Sequence, residues 1–422
     1  MSSGFENFSD FVRQSIGVFT DNKAWFENAA PNYNAFQKNV DKVPFTEKGY
    51  QLPFISRRPG GHTAYLPSNS SFNQVVSPES QSMFVYPTRY SLPMVFQGAL
   101  IRALRSGQSE KLIEYNAMLQ EYMDAATKRL EYMVVGDGSG TLAVSSSTLG
   151  ATGSGQTMNC TTTAAATAGQ TKGAHRLEEG HTYQAINTST GAVRGTILVE
   201  TEGTSSCVVN VTSGTVSSGD PIVDVGGYLR YMRGLAHLIS RASRVLQGLN
   251  TANFRHLNSP EVDLNGTLCT PADFENAKAM LQTRNNDETA ENKLLCFITF
   301  GGYSDLKKQG WNLTIQETGT TRGIAAKFVD GDTVFIRSAD MDDDRHYLAH
   351  PDRVKMFEET PLGPLDLDGQ ELRMLMGSNG TGSDDWQRAI GCAANPGIVL
   401  PRACAYIKRR LLTGAVTQVS SF

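Results

Sequence analysis

The chain has 422 residues, of which 40% are hydrophobic and 19% are charged, and its formal net charge is -4. This length allows two or three domains, or one elongated domain with insertions. The slightly acidic balance argues against tight, non-specific binding of nucleic acid, because no basic run is available to neutralise phosphates. No apolar run reaches the length of a membrane span, and the first residues, MSSGFENFSDF, lack the basic and apolar regions of a signal peptide.

Cysteine usage indicates a protein made in a reducing cytoplasm. The six cysteines are scattered without a CxxC pair. In so long a chain this pattern favours buried free thiols over a disulfide framework. They are Cys160, Cys207, Cys269, Cys296, Cys392 and Cys404.

The first part of the chain lacks a core of its own. Residues 1–44 mix short apolar clusters with polar residues and predict a short helix followed by an extended arm. Residues 45–97 are broken by prolines, and their flanks YQLPFISRR and SMFVYPTRYSLPMVF predict two antiparallel strands. Because an isolated two-stranded ribbon is marginal in water, we expect arm and ribbon to lie on a neighbouring subunit. The apolar residues expected to lack cover within the chain are Phe8, Phe11, Phe54, Phe84 and Val85.

A long apolar stripe follows between Ser109 and Gly140. Its spacing predicts an amphipathic helix about 40 Å long, with Ser109 as N-cap and a wet polar face. We expect the stripe to pack on an equally long sheet. The stripe contains Leu112, Tyr115, Leu119, Tyr122 or Met123, Ala126, Leu130 and Met133, and the polar face contains Glu110, Lys111, Glu114, Glu121, Asp124, Lys128 and Arg129. Gly136, Gly138 and Gly140 then end the helix.

Residues 137–225 read as an inserted, β-rich module. Short strand-like segments (HTYQAI, AVRGTILVE, SCVVNV and GDPIVDV) alternate with turn signals at close spacing, and charge is sparse before them. This pattern predicts a small β-barrel or sandwich, exposed and nearly independent in folding. The remainder mixes helix and strand patterns, including TPADFENAKAML with Thr270 as N-cap and Asp273 as capping-box acid. The order of elements predicts an α+β architecture.

The sequence offers no convincing catalytic, cofactor or metal site. The GDGSG run follows a helix, whereas a phosphate loop follows a strand and opens a helix, so we interpret it as a structural hinge. The acidic stretch at Asp340, Asp342, Asp343 and Asp344 lacks calcium-loop spacing and favours a solvated turn. Neither HExxH nor GxSxG is present. Arg57 and Arg58, at the ribbon tip, are expected to pair with acids on a neighbour rather than with phosphate.

Several stretches resemble, in the right order, the major capsid proteins of tailed bacteriophages, which have the Hong Kong ninety-seven fold. The sharpest is the long helix running into YMVVGDGSGTLA, which resembles the family's spine helix and its terminal signature. The segment HLISRASRVLQGLNTANFRHLN, the stretch HYLAHPDRVKMFEETPLGPLDLDG and the closing WQRAIGCAANPGIVLPRACAYI are also similar to the family.

The resemblance implies a division of the chain into six parts. These are an N-terminal arm (1–44), an extended β-ribbon loop (45–97), the spine helix of a peripheral domain (98–136), an inserted β-barrel domain (137–225), an axial domain (about 226–340) and late strands of the peripheral domain (341–422). The residues expected to carry assembly are Leu112, Leu119, Met123, Leu130, Gly136, Gly138, Gly140, Arg57 and Arg58.

The function implied by the resemblance is structural. Copies would assemble as hexamers and pentamers into an icosahedral head that encloses double-stranded DNA without reading its sequence. Expected partners are portal, scaffolding and decoration proteins, with no cofactor and no membrane. Two other interpretations remain open: an encapsulin-like compartment with an enzyme cargo and, less favoured, a β-rich carbohydrate-binding or hydrolytic protein. Covalent cross-linking of the shell is left undecided.

Overall fold

The computed structural model describes residues 30–37, 40–42, 49–57, 79–105, 109–150, 152–161, 173–203, 205–254, 257–285, 294–307, 333–342, 345–365, 373–376 and 382–408. These ranges form a mixed α+β fold, the class predicted from the sequence. The helices are α1 (Pro31–Gln37), α2 (Gly98–Arg105), α3 (Ser109–Val135), α4 (Leu235–Leu238), α5 (Pro271–Asn285) and α6 (300–307). The strands are β1 (Val40–Lys42), β2 (Tyr50–Arg57), β3 (Glu79–Val85), β4 (Thr88–Phe96), β5 (Thr141–Val144), β6 (Gly153–Asn159), β7 (Thr182–Ile186), β8 (Val193–Thr201), β9 (Ser206–Gly214), β10 (Pro221–Asp224), β11 (Val245–Leu246), β12 (Leu249–Asn250), β13 (Glu261–Asp263), β14 (Leu294–Ile298), β15 (Thr333–Arg337), β16 (His346–Ala349), β17 (Val354–Leu365), β18 (Arg373–Met376), β19 (Gly382–Ile398) and β20 (Cys404–Lys408).

A long sheet lies under the predicted helix. Its strands follow the order β1, β17, β19 and β18, and β4 also pairs with β19. Strand β19 has 17 residues and serves two long neighbours, pairing antiparallel with both β4 and β17. The glycine at position 391 permits the close pairing with β4, because a Cβ there would lie 2.2 Å from the Tyr90 carbonyl oxygen. The part predicted as one spine helix (98–136) contains two helices, α2 and α3.

The insert forms a second sheet of six antiparallel strands in the order β5, β10, β7, β8, β9 and β6. Its outer strands meet just beyond their ends, where Ser145 and Cys160 form an antiparallel bridge. The Thr161 N–H also donates to the Val144 carbonyl at 2.8 Å. Strands β5 and β6 were not predicted, because their sequences TLAV and GSGQTMN lack an alternating apolar pattern.

The insert shares its apolar core with the end of α3, and its nearly independent folding stays a prediction. Its buried residues belong to the same apolar cluster as Tyr132 and Met133 at the end of α3. The Tyr132 hydroxyl also donates to the Thr141 carbonyl inside the insert. The interior of the insert therefore continues into the core beneath it.

A third sheet contains strands from both sides of the predicted boundary at residue 340. Its order is β13, β20, β16, β14 and β15, so it combines strands assigned to the axial part with two assigned to the late peripheral strands. Strand β14 pairs with both β15 and β16, and β20 pairs with β13 and β16. The short buried runs of β16 and β20 resemble any central strand, and chain order does not specify the partner of such a strand.

Part of the predicted arm is covered by its own chain. Phe36 in α1 is fully buried, and its ring stacks on Phe297 with centroids 5.9 Å apart. Strand β1 pairs in parallel with β17. The expectation that the arm lacks cover within the chain is therefore wrong for residues 30–42.

The predicted ribbon forms, but its second strand ends at Val85, since the rest of that flank is β4 of the long sheet. The ribbon also packs on its own chain at its base. Strands β2 and β3 pair antiparallel, with Tyr50 opposite Val85. Leu52 and Val85 are buried, and the Phe84 N–H donates to the Gln247 carbonyl at 2.8 Å. The expectation of no intrachain cover is thus wrong for Val85. Phe84 is partly buried, and Phe8, Phe11 and the side chain of Phe54 lie outside the described part of the chain.

Two local predictions have opposite outcomes. The capping box of α5 is confirmed: the Thr270 N–H donates to Asp273 Oδ2 at 2.9 Å, and the Asp273 N–H donates to Thr270 Oγ1 at 3.3 Å. The solvated acidic turn is wrong for Asp342, which is fully buried and accepts a hydrogen bond from the Tyr347 hydroxyl at 3.4 Å. Asp343 and Asp344 lie outside the described residues.

Candidate assembly site

The first half of α3 lies on the long sheet through one face. Leu119 and Met123 are fully buried and form a cluster with Met94 and Phe96 of β4 and Ile390 of β19. On the opposite face Glu114, Glu121 and Asp124 are exposed. The side chain of Leu112 lies outside the described part. This arrangement is what a 3.6-residue repeat produces when only one side of a helix has a partner.

The second half of α3 is buried on more than one face. Leu130 and Val134 are fully buried, and Glu131 between them is 1% exposed. The Glu131 carboxylate accepts the Asn32 N–H at 3.2 Å and the Tyr33 N–H at 2.9 Å, both at the start of α1. Burial raises the pKa of Glu131 to about 7, against the opposing effect of its hydrogen bonds. Of the two residues in this half that were predicted for the wet polar face, Lys128 is exposed, as expected.

The assignment of Arg129 to the wet polar face is wrong. Its guanidinium is 3.3 Å from a carboxylate oxygen of Asp224, at the end of β10, and only 15% of its side chain is exposed. Burial lowers the pKa of Arg129, but Asp224 and nearby groups outweigh burial and raise it above its usual value. The Tyr231 hydroxyl donates to the second oxygen of Asp224. The helix and the insert are thus joined by a largely buried ion pair.

Arg176 makes a second link across this junction. Its guanidinium lies 3.8 Å from the centroid of the Tyr132 ring and donates to the Asp340 carbonyl at 3.1 Å. Burial raises the pKa of Tyr132 to about 12, although Arg176 opposes that shift. The end of α3, the insert and the loop after β15 therefore meet at one point.

The glycine turn lets the chain leave the helix at this junction. Gly138 and Gly140 have positive φ angles of 87° and 77°, whereas Gly136 does not. A Cβ at Gly140 would lie 2.6 Å from the Gly227 carbonyl oxygen, so there is no room for a side chain at this position. Asp137 Oδ1 accepts the Ser139 N–H at 2.9 Å and closes a local turn. The turn is followed by strand β5, whereas a phosphate loop would be followed by a helix.

Sequence reasoning missed Glu131, Asp224 and Arg176. A signal for Glu131 exists in LEYMVV, where apolar residues occupy every side of the last helical turn and indicate burial all round. No comparable signal marks Asp224 or Arg176, because their partners are distant in the chain. The predicted role of Arg57 and Arg58 stays a prediction, because Arg58 and the side chain of Arg57 lie outside the described residues.

The described residues contain no group of three or more His, Cys, Asp or Glu side chains placed to bind a metal. All six cysteines are free and buried, as predicted. Burial raises the pKa of Cys392 and of Cys404 to about 12, which makes both thiols poor nucleophiles. Among the described helices, none combines the length and apolar character that a membrane crossing requires.

No protein-family model and no curated protein matches the sequence. Solved structures do match. The chain is similar to the capsid protein of Cyanophage A-1(L), with a TM-score of 0.52 and 8% identity over 90% of this chain and 93% of that one. It is also similar to the capsid of a native GTA particle (TM-score 0.45, 7% identity, 90% and 91% covered) and to the SrpI encapsulin of Synechococcus elongatus PCC 7942 (TM-score 0.41, 8% identity, 91% and 89% covered).

The cyanophage capsid likeness extends over nearly the whole of both chains. At 8% identity it establishes the fold alone. The resemblance noted in the sequence is thereby confirmed at that level: this chain has the fold of a bacteriophage capsid protein.

Proposed function

We propose that the chain is a major capsid protein whose copies assemble as hexamers and pentamers into an icosahedral head. The observation that carries the proposal is the fold likeness to the cyanophage capsid protein, over 90% of this chain and 93% of that one. The role is structural rather than enzymatic. Such a shell would enclose double-stranded DNA and form part of the virion after synthesis in the host cytoplasm.

The proposal gives each element a role in assembly. Helix α3 is the spine of the peripheral domain, and Leu119, Met123 and Leu130 hold it in place. The insert lies outside the shell. The ribbon beyond β2 and β3, with Arg57 and Arg58 near its tip, extends to a neighbour. The sheet of β13, β20, β16, β14 and β15, with α5 packed on it, belongs to the axial domain. The buried cluster of α3 on β4 and β19 supports the first assignment, because it packs the helix along the long sheet.

Portal, scaffolding and decoration proteins are proposed partners, as a closed head that is filled with DNA requires an entry vertex and control of size. The encapsulin-like compartment is the alternative with the same fold. A β-rich carbohydrate-binding protein is disfavoured, because the cyanophage capsid likeness extends well beyond the β-rich insert.

Negative-stain electron microscopy of the purified chain tests the proposal. We expect closed, spherical particles with hexameric and pentameric units. A folded protein that forms no particles, at any concentration or salt tested, would overturn the shell function. Particles that copurify with a single enzyme and lack DNA in an infected host would favour the compartment instead.

A further inference from the structure

An arginine-lined cleft lies where the β3–β4 turn faces the loop before α4. It has a volume of about 410 Å³, and its lining includes Arg89, Arg230 and Arg233 but no carboxylate. All three side chains are exposed. Within the described residues, none of the three guanidinium groups has an ion-pair partner. The cleft therefore carries three positive charges that no described carboxylate of its own chain neutralises by an ion pair.

The rim of this arginine cleft is apolar. Tyr86 is 54% exposed and Leu229 is 68% exposed. Leu229 has a φ of 58°, a left-handed conformation that is strained for leucine, and its N–H donates to the Ser139 carbonyl at 2.8 Å. The loop is thus fixed in a strained form that presents an apolar side chain to solvent.

This combination fits a protein partner better than a phosphate chain. Arginine and tyrosine beside an exposed aliphatic group are typical of the centres of protein interfaces. A phosphate track would leave Leu229 exposed to water. The partner should therefore present carboxylates beside a surface that can cover the rim.

The chain itself presents such carboxylates on the insert. Glu202, just beyond β8, accepts the Glu179 N–H at 3.0 Å, which holds these two exposed residues together. Glu200 lies on the same strand end and accepts the Ser154 hydroxyl at 2.6 Å. Within the described part, neither Glu179 nor Glu202 has an ion-pair partner. These three glutamates are called the acidic corner below.

We propose that the arginine cleft of one copy receives the acidic corner of a neighbouring copy. The two surfaces lie on different parts of the chain, so the contact is head-to-tail, the type that closes into a ring when the rotation between copies allows. The inference rests on the proposed self-assembly and specifies one contact within the rings.

Charge reversal tests the contact. Arg230→Glu with Arg233→Glu should lower particle yield in sucrose gradients by about ten-fold or more, because it sets like charges against each other. Glu179→Arg with Glu202→Arg should do the same, and the four changes together should restore most of the yield. Arg230→Glu alone is compared with Arg241→Glu, which carries the same charge change on an exposed residue outside the cleft and should assemble normally.

Cross-linking provides a second readout that tolerates weak assembly. Copies carrying Arg230→Cys, mixed with copies carrying Glu202→Cys and oxidised with copper phenanthroline, should form a disulfide-linked dimer. Copies carrying Arg241→Cys in place of Arg230→Cys should not. The native cysteines are all buried, so the background should be low.

The outcomes separate this contact from the shell function. If the unmodified chain forms no particles, the proposed function fails and the contact with it. If the unmodified chain assembles and the reversals assemble equally well, or the dimer does not form, the contact is wrong. Normal assembly with reduced DNA binding in Arg230→Glu with Arg233→Glu would overturn it in favour of a phosphate partner.

Discussion

The two halves of α3 are buried in different ways. Leu119 and Met123 in the first half face a sheet, while the opposite side of the helix is exposed. In the second half Glu131 is buried as deeply as Leu130. The first half obeys the apolar repeat, whereas the second is defined by polar partners from α1 and the insert. A substitution in each half should therefore fail for a different physical reason.

The largest effect is expected from Leu119→Asp. The change would bury an unpaired carboxylate between the helix and the sheet and should lower the free energy of unfolding by several kcal/mol. Particle yield in sucrose gradients should fall to background. Leu119→Met is the matched control, because it conserves volume and should cost less than about 1.5 kcal/mol. Normal particle yield for Leu119→Asp would mean that this half of the helix does not hold the fold together.

In the second half, Glu131 should make stability depend on pH. Its native pKa of about 7 lies above its unfolded value of 4.5, so the native state binds the proton more tightly. This contribution is fully present below pH 4.5 and is lost as the pH rises through 7, which amounts to about 3 kcal/mol. Glu131→Gln should flatten this part of the profile, as measured by urea unfolding at fixed protein concentration between pH 4 and about 8. Identical profiles for the two proteins would contradict the burial of this carboxyl.

Gly140→Ala tests the glycine turn that follows the second half of α3. The alanine Cβ would lie 2.6 Å from a backbone oxygen at a φ of 77°, so steric and conformational costs add, to about 2 to 3 kcal/mol. Gly219→Ala is the control, since Gly219 also has positive φ (90°) but has open space around it. Thermal unfolding should show a smaller loss for the control. Equal losses would indicate that only the backbone conformation matters at Gly140.

The smallest effect is expected from Lys128→Gln. The Lys128 ammonium is 3.7 Å from a Glu178 oxygen, but about half of its side chain is exposed. Exposed pairs of this kind contribute little, so the change in the free energy of unfolding should stay within about 0.5 kcal/mol. Removing the deeper pair with Arg129→Gln should cost more in the same urea titration. A larger loss for Lys128→Gln would reverse this ranking of the two links to the insert.

The sequence predicted elements whose cause is local. The stripe at Leu119 and Met123, the cap at Thr270 and the strand LLCFI depend on spacing or on near neighbours, and each forms where expected. Features with distant partners were missed. The burial of Glu131 requires α1, and the sharing of one sheet by β14, β16 and β20 crosses a boundary that chain order suggested.

The candidate assembly residues divide in the same way. Gly138 and Gly140 could be identified from a single motif, because only the local backbone decides that they need positive φ. The pair Arg129–Asp224 could not, since nothing near either residue in the sequence indicates the other. The role of these residues in a shell depends on whether copies of the chain associate.

Sedimentation velocity of the unmodified chain tests that association most directly. Exposed apolar side chains such as Tyr86 and Leu229, beside unneutralised arginines, predict that the folded chain does not remain a monomer. We expect fast-sedimenting, closed particles in equilibrium with pentamers and hexamers. A single folded species at the monomer mass of 45.8 kDa, across micromolar concentrations and a range of salt, would contradict the capsid function.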